Sequence, residues 1–212
     1  MGTGLYAAWR KYSRIAVDKM LHIKYSACLR NKHFSILCPN CIAGNIYHRL
    51  GMQFTTPTIN CFTSQDEFIK VISNLQYYMA QDLQFISSTK GYPVAMLGDV
   101  VYNFNHDTDP RKCERDWYRR RERIQYDNLY IILYEEHPMN REEVEELANV
   151  PCKRLIVLTD RPDHTDLPYV KMLKRNYGRP NEKHFLDRDY FGVQTFEKQF
   201  DFVAWLNGSM KF

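Results

Sequence analysis

Three short apolar runs along the chain mark the strands of a buried sheet. Residues 34–38 (FSILC), 129–134 (LYIILY) and 154–158 (RLIVL) are almost continuously apolar, which is typical of strands that are buried on both faces. A helical pattern over residues 141–148 separates the last two runs. Two buried strands joined through a helix imply a parallel pair with a crossover. The sequence therefore predicts an α/β fold, with a mixed and mostly parallel sheet flanked by helices.

Weaker patterns predict the remaining elements. Short strands are expected at residues 58–62, 85–86 and 94–97, and the alternation of residues 100–105 (VVYNFN) predicts a half-exposed strand. Helices are expected over residues 41–50, 65–83, 109–124 and 195–206, with loops over 160–192. Gly51 is the expected stop of the first of these helices, and Ser64 with Glu67 forms a capping box for the second.

The chain begins with a predicted amphipathic helix over residues 5–30. A narrow apolar stripe has the three- and four-residue spacing of one helix face, and Arg10, Lys11, Arg14 and Lys24 lie on other faces. The stripe consists of Leu5, Trp9, Tyr12, Ala16, Met20, Ile23 and Ala27. Such a helix rests on anionic lipid, grips a partner, or packs on its own domain. The sequence leaves all three readings open.

Composition limits the class of protein. A chain of 212 residues with 44% hydrophobic residues supports one well-buried core, so we expect an N-terminal helix over residues 1–30 and a single α/β domain over 31–212. Residues 1–33 hold seven basic side chains and one acid, Asp18, whereas the remainder holds 22 basic and 24 acidic residues. A nucleic-acid-binding domain normally carries excess positive charge on its folded body, so no nucleic-acid partner is expected.

The location expected from the sequence is the cytoplasm, peripheral at the inner face of the membrane. No run of eighteen apolar residues crosses a bilayer, and the N-terminus lacks the pattern of a secretory signal. Six scattered cysteines in a chain with an ample core indicate reduced thiols.

Cys38-Pro39-Asn40-Cys41 places two cysteines where the first strand meets a helix. The spacing fits a redox pair or half of a zinc site, but a second pair of zinc ligands is missing, so no metal is predicted. Cys41 falls at the start of the helix, where backbone N–H groups stabilise a thiolate and form an oxyanion hole. Cys41 is therefore a candidate nucleophile, and its alternative reading is a small cysteine buried under a turn.

A candidate base and a candidate anion site follow further along the chain. Asp99 and His106 lie at opposite ends of the VVYNFN strand, so they are not expected to pair. His106 is either a catalytic base at the carboxyl edge of the sheet or a structural histidine. Residues 117–128 (WYRRRERIQYDN) are rich in arginine. One inward-facing arginine is expected to bind a phosphate or carboxylate, or to pair with Asp99 or Asp127. In the alternative interpretation the segment is a solvated charged face, with Asp116 and Asp127 as flanking partners.

These motifs resemble the domain of unknown function 1919 family. Residues 31–50 (NKHFSILCPNCIAGNIYHRL) are similar to its opening motif of a hydrophobic strand, an Asn-Cys pair, a glycine-containing turn and an Ile-Tyr helix. The resemblance continues through 92–94, 97–99, Phe104, His106 and 117–129, and covers residues 30–207. The chain departs from the family at Cys38 and at Ile42-Ala43-Gly44, where the family usually has Trp-Gly-Gly. The residues that the resemblance and the patterns mark as substrate- or anion-binding are Asn40, Gly44, Asp99, Trp117, Arg119, Arg120, Arg123, Asp127 and Asn128.

The resemblance implies a bacterial protein of exopolysaccharide or capsule biosynthesis, because members commonly carry that label. We expect a glycan-modifying transferase, such as an acyltransferase, that acts on a sugar or lipid-linked glycan. The sequence does not identify its cofactor, and acyl-coenzyme A is a candidate. Cys41 and His106 are its expected catalytic residues. The alternatives are a glycosyltransferase or nucleotide-sugar enzyme, which would use Asp107-Thr108-Asp109, and a noncatalytic assembly factor held at the membrane by the N-terminal helix.

Overall fold

A four-stranded parallel sheet lies at the centre of the protein. The computed structural model describes residues 2–174 and 184–210. The sheet has the order β1-β5-β6-β7, and every neighbouring pair is parallel. Its strands are β1 (Ser35–Leu37), β5 (Leu129–Tyr134), β6 (Arg154–Thr159) and β7 (Val170–Met172). The α/β class and the parallel pairing of the apolar runs are thus confirmed.

A second sheet stands between β1 and β5 in sequence. It is an antiparallel meander of β2 (Leu83–Ile86), β3 (Val94–Leu97) and β4 (Val100–Asn103). The strand predicted at residues 58–62 is wrong, because turns occupy this segment and Phe62 alone forms an isolated bridge to Asn103. Pro57 lacks an N–H donor and Asn60 has a left-handed φ of 65°, so the segment does not form a regular strand.

Eight α-helices surround the sheets in the described residues. They are α1 (Gly2–Cys28), α2 (Ile42–Leu50), α3 (Gln65–Ser73), α4 (Leu75–Ala80), α5 (Pro110–Arg121), α6 (Arg141–Glu146), α7 (Thr195–Gln199) and α8 (Phe202–Leu206). The single helix predicted over 65–83 breaks at Asn74, whose backbone leaves the helical region. The helix predicted over 195–206 breaks at Phe200. The segment 160–192, predicted as loops, includes β7, a 3-10 turn at His184–Leu186, and residues 175–183, which lie outside the described part.

The parallel sheet is buried on both faces, which explains its unbroken apolar runs. Along β5, Ile131 and Leu133 enter one core, while Ile132 and Tyr134 enter the other. The first core contains the inner side chains of the antiparallel sheet and of α3 and α5, and the second contains those of α2, α7 and α8. The fold is therefore a three-layer arrangement in which the carboxyl ends of β1, β5 and β6 meet at one edge.

Helix α1 packs on the domain through a mixed face of polar groups and the half-buried side chains of Val17, Leu21 and Tyr25. Arg14 Nε donates to the carbonyl oxygen of Tyr190 at 3.0 Å, and Ser26 Oγ donates to that of Leu50 at 3.0 Å. His22 Nδ1 lies 3.1 Å from the carbonyl oxygen of Arg49, and Asp18 pairs with the Arg49 guanidinium. In the apolar stripe recognised in the sequence, Tyr12, Ala16, Met20, Ile23 and Ala27 are exposed, whereas the Trp9 ring also contacts Tyr190, with centroids 5.5 Å apart. None of the described helices is long and apolar enough to cross a membrane.

Candidate functional site

The first strand delivers Cys41 to the carboxyl edge of the parallel sheet. After β1, the chain runs through Cys38-Pro39-Asn40-Cys41 and enters α2, with Cys41 in the capping position. Asn40 Oδ1 accepts hydrogen bonds from the Ile42 amide and from Cys38 Sγ, both at 3.1 Å. Because a short Asx-type turn starts the helix, the backbone of Cys41 is fixed by its neighbours. The Cys41 side chain remains partly exposed.

The Cys41 thiol lies against a histidine from a different element. Cys41 Sγ is 3.1 Å from His106 Nε2, although the two residues are 65 positions apart in sequence. His106 follows β4 in a tight turn, where the Asp107 amide donates to the carbonyl oxygen of Phe104 at 3.1 Å. This distance is short for a thiol–imidazole contact and permits direct proton transfer between the groups. The two residues nominated from the sequence as nucleophile and base are thus brought together.

The second cysteine of the motif has a different environment. Cys38 is fully buried, and burial raises the pKa of its thiol to about 12. Its sulfur donates to Asn40, whereas Cys41 contacts His106. At neutral pH Cys38 is therefore a protonated thiol that supports the turn, and the geometry assigns different roles to the two cysteines. This separation argues against the redox-pair reading of the motif.

An amide donor of Asn40 is left over at this turn. Its Nδ2 is buried and makes no hydrogen bond to any described residue, whereas its Oδ1 accepts two. The orientation of the amide is set by the Ile42 N–H, which requires an oxygen opposite it. A buried donor without a partner is costly, because it has lost its hydrogen bond to water and gained none in exchange. Asn40 therefore offers a donor next to the thiol.

A cavity of about 690 Å³ opens at the same sheet edge. Glu135 and Asp160 follow directly after β5 and β6, and both line it. The other side includes Phe62, Asn103 and Lys90. Parallel α/β sheets usually bind their ligands in a crevice at the carboxyl ends of the strands. The position of Glu135 and Asp160 just after the apolar runs 129–134 and 154–158 is a sequence signal for this crevice, but they do not belong to the motifs from which the candidate residues were chosen.

The Cys41–His106 pair lies next to segments that form this cavity. The Thr63 amide donates to the carbonyl oxygen of Pro39 at 3.0 Å, and Phe62 and Asn103 exchange two backbone hydrogen bonds of 2.9 Å. Thr63, Phe62 and Asn103 all line the cavity. Cys41 stands two residues beyond Pro39, and His106 stands three beyond Asn103. Neither Cys41 nor His106 is itself among the lining residues, so the pair lies beside the cavity.

The charges of the cavity favour a neutral or polyhydroxylated ligand. Glu67, Glu135, Glu136 and Asp160 outnumber the two basic residues, Lys90 and Arg161. Arg161 Nη1 is already 3.5 Å from Glu135 Oε2, and Lys90 Nζ donates to Asn103 Oδ1 at 2.9 Å. A phosphate would meet more carboxylates than free cations here, whereas hydroxyl groups donate well to carboxylates.

The arginine-rich helix does not form an anion site with the thiol. Arg120 faces inward, but its guanidinium donates to Asp116 Oδ2 and to the carbonyl oxygen of Ile59, both at 3.0 Å, and lies over the Phe54 ring. Its partner is thus Asp116, in place of the expected Asp99 or Asp127. Burial lowers the pKa of Arg120, and Asp116 opposes this effect. Arg119 is exposed and shares Asp116, so these two arginines are structural in this arrangement.

The other residues marked by the resemblance support the fold around the site. Asp99 accepts from Tyr78 at 2.8 Å and from Lys70 at 3.2 Å, and these hydrogen bonds lower its pKa. Trp117 is buried against Tyr102 at 4.9 Å between ring centroids. The remaining marked positions lie in the helices and turns around the core, and none of them lines the cavity. Gly44 packs in α2 near Ile59, and Arg123 is half-buried after α5. Asp127 is exposed in the 3-10 turn Tyr126–Asn128, and Asn128 Nδ2 donates to Asn31 Oδ1.

The Asp-x-Asp spacing at residues 107–109 serves the start of α5. Asp109 accepts from the Arg111 amide at 3.0 Å as the helix cap, and Asp107 pairs with Lys112. A nucleotide-sugar enzyme would need these carboxylates for a metal ion, so their structural engagement weakens that alternative.

Fold and site together define an α/β protein with a candidate nucleophilic cysteine at the carboxyl edge of its sheet. The chain belongs to the family described as domain of unknown function (DUF1919), whose match covers residues 12–207. The match begins within α1, so most of that helix lies in the region shared by the family. An uncharacterized protein of Haemophilus influenzae is similar, with 26% identity over 206 residues and 95% of each chain covered.

Proposed function

We propose that this protein is a cysteine-dependent acyltransferase that acylates a hydroxyl group of a glycan. The observation that carries the proposal is the 3.1 Å contact between Cys41 Sγ and His106 Nε2 at the start of α2. A cysteine beside a basic imidazole is the minimal unit of nucleophilic acyl transfer. The wider role in assembly of cell-surface polysaccharide is supported by the resemblance of the sequence motifs and is part of the same proposal.

The reaction divides into two balanced steps. In the first, His106 takes the Cys41 proton while the sulfur attacks the carbonyl carbon of an acyl thioester, such as acyl-coenzyme A; the donor's C–S bond breaks, and its thiolate leaves with the proton from His106. In the second, His106 takes the proton of an acceptor hydroxyl, whose oxygen attacks the Cys41 thioester. An ester forms, and the proton returns to the Cys41 thiolate.

Asn40 has the chemistry to stabilise the carbonyl oxygen in both steps. Each step places negative charge on that oxygen, and Asn40 Nδ2 is a buried donor without a partner among the described residues. A preorganised donor of this kind commonly contributes two to three orders of magnitude in rate. The side chain is already oriented by the Ile42 amide, so little reorganisation is needed when substrate binds.

The adjacent cavity suits the acceptor. Its carboxylates accept hydrogen bonds from hydroxyl groups, and Phe62 provides aromatic surface for the apolar face of a sugar ring. The volume of about 690 Å³ matches a ligand of one or a few sugar residues. The donor thioester approaches Cys41 from outside this cavity, where the side chain is exposed.

Trapping of the acyl-enzyme tests the proposal. The full chain is incubated with acetyl- and longer-chain acyl-coenzyme A, quenched in acid, and mapped by peptide mass spectrometry. We expect an adduct on Cys41, none at that site in C41S, and formation roughly a hundredfold slower in H106Q. C28S is the matched control, because Cys28 is an exposed cysteine far along α1 and its loss should change nothing. Equal labelling of Cys28 and Cys41, or the same rate in H106Q, would contradict the proposal.

The noncatalytic assembly factor is the second candidate function, and the exposed apolar stripe of α1 favours it. It requires no acyl-enzyme, so the same trapping experiment separates the two candidates.

A further inference from the structure

Helix α1 carries apolar side chains both toward the domain, where Val17, Leu21 and Tyr25 are half-buried, and toward solvent. Its apolar stripe points into solvent: the exposed fractions are 68% for Tyr12, 58% for Met20 and 59% for Ile23. Ile15, which borders the stripe, is 54% exposed, and Trp9 is 58% exposed although its ring also contacts Tyr190. A helix of a globular protein normally turns its apolar stripe toward the core, and contiguous exposed apolar patches mark interaction surfaces.

The orientation of α1 is fixed by specific polar contacts. Arg14 reaches the carbonyl oxygen of Tyr190, and Asp18 pairs with Arg49, a buried guanidinium that also forms two hydrogen bonds with Glu197. Further along, the Tyr25 ring packs edge-on against Phe202 with centroids 4.8 Å apart. These contacts span more than two helical turns on one side. The helix is therefore held with its stripe outward, and rotation to bury the stripe would break an ion pair to a buried arginine.

The charges around the stripe are complementary to anionic lipid. Lys19 lies within the stripe at the helical spacing, and Lys11 and Lys24 flank it. Asp18 is the acid of this segment, and it is turned toward Arg49. Two copies of α1 placed face to face would bring these lysines together without compensating carboxylates. Exposed aromatic and aliphatic side chains bordered by lysines match a helix that lies in the headgroup region of an anionic bilayer.

We infer that the outward stripe of α1 is a membrane-docking surface for bilayers that contain anionic phospholipids. Tyr12, Ile15, Met20 and Ile23 enter the boundary between headgroups and acyl chains, and Lys11 and Lys19 contact the lipid phosphates. The helix lies flat, and the domain stays outside the bilayer on the side of α1 that contacts Arg49, Tyr190 and Phe202. In this arrangement, a site that acts on lipid-linked glycan is held at a fixed position at the membrane. The docking itself does not depend on the chemistry of Cys41.

Vesicle flotation with the full chain tests the inference. Vesicles of phosphatidylcholine alone are compared with vesicles that also contain phosphatidylglycerol, at low and high salt. We expect co-flotation with the anionic vesicles, fading as salt rises. K11Q/K19Q should lower the partition roughly thirtyfold, since each lysine near an anionic surface contributes about fivefold. M20S/I23S should lower it at least tenfold through lost apolar burial.

Matched controls separate docking from general effects of the substitutions. Tyr77, which is 51% exposed on α4, and Arg115, which is exposed on α5, lie outside the stripe, so Y77S and R115Q should float like the wild type. Thermal unfolding of all variants should coincide, because the substituted side chains are exposed. Equal partition of wild type and both stripe variants overturns the inference. A second result also overturns it: light scattering shows a wild-type dimer that M20S/I23S converts to a monomer, while flotation is unchanged. The stripe would then be covered by a second copy of the chain.

Discussion

At the residue scale, the structure separates groups that look alike in the sequence. Cys38 and Cys41 share one motif, but the first is sealed in the core and the second contacts His106. Arg119 and Arg120 are neighbours, but one is exposed and the other lies inside with Asp116 and the carbonyl oxygen of Ile59. The sequence placed Cys41 correctly at a helix start because Asn-Cys before a helical pattern ended by Gly51 is a local signal. The partner of Arg120 is also local, four residues away, but several nearby acids were equally plausible.

Substitution of Arg120 tests its structural assignment. R120K keeps the positive charge but loses the planar guanidinium group, which donates hydrogen bonds to both Asp116 and the carbonyl oxygen of Ile59. We expect the unliganded protein to lose about 1–3 kcal/mol of free energy of unfolding in urea. R119K, in an exposed position that shares the same Asp116, should stay within about 0.5 kcal/mol of the wild type. An R120K protein with unchanged stability would indicate that this arginine is held for a ligand.

At the element scale, the packing of α1 against the end of α2 depends on one glycine. Gly51 ends α2 with φ of 63°, and a Cβ there would stand 2.3 Å from His22 Cε1 of α1. The periodicity of α1 showed the apolar stripe from sequence, but periodicity does not say which way a stripe faces. The direction is set by contacts with Arg49 and Tyr190, which come from distant parts of the chain.

The substitution G51A should loosen α1 from the domain. A left-handed φ costs an alanine about 1–2 kcal/mol, and the new methyl group also pushes against His22. G91A is a matched control, because Gly91 has φ of 73° with nothing within 4 Å of the added Cβ. Hydrogen exchange should therefore speed up along α1 in G51A and remain at the wild-type rate there in G91A. Equal exchange in the two variants would mean that the close approach of His22 does not hold the helix.

At the scale of the whole molecule, the fold class followed from the sequence, while the separation into two sheets did not. Runs such as 129–134 are apolar throughout because β5 is covered on both faces, with Ile131 and Ile132 in different cores. The antiparallel meander was seen as individual short strands, but pattern alone does not decide which strands pair. The cavity was missed for the same reason, since Glu135 and Asp160 become neighbours of β4 only when the two sheets pack.

The Cys41–His106 contact also belongs to this largest scale. One residue follows β1 of the parallel sheet, and the other follows β4 of the antiparallel sheet. Their meeting depends on the packing of the two sheets. Between them, Phe62 hydrogen-bonds to Asn103 at the end of β4, and Thr63 hydrogen-bonds to Pro39 after β1. The central claim is that this contact makes Cys41 the reactive nucleophile of the protein.

The most direct test of that claim is the rate at which each cysteine is alkylated by iodoacetamide at neutral pH, resolved by peptide mass spectrometry. Burial raises the pKa of Cys38 to about 12 and those of Cys113 and Cys152 to about 11, so these thiols stay protonated and slow, and they should gain reactivity only as pH approaches those values. Exposed Cys28 sets the reference rate. We predict that Cys41 reacts faster than Cys28 in the wild type and no faster than Cys28 in H106Q. A Cys41 rate that does not exceed that of Cys28, or that is unchanged in H106Q, would contradict the account.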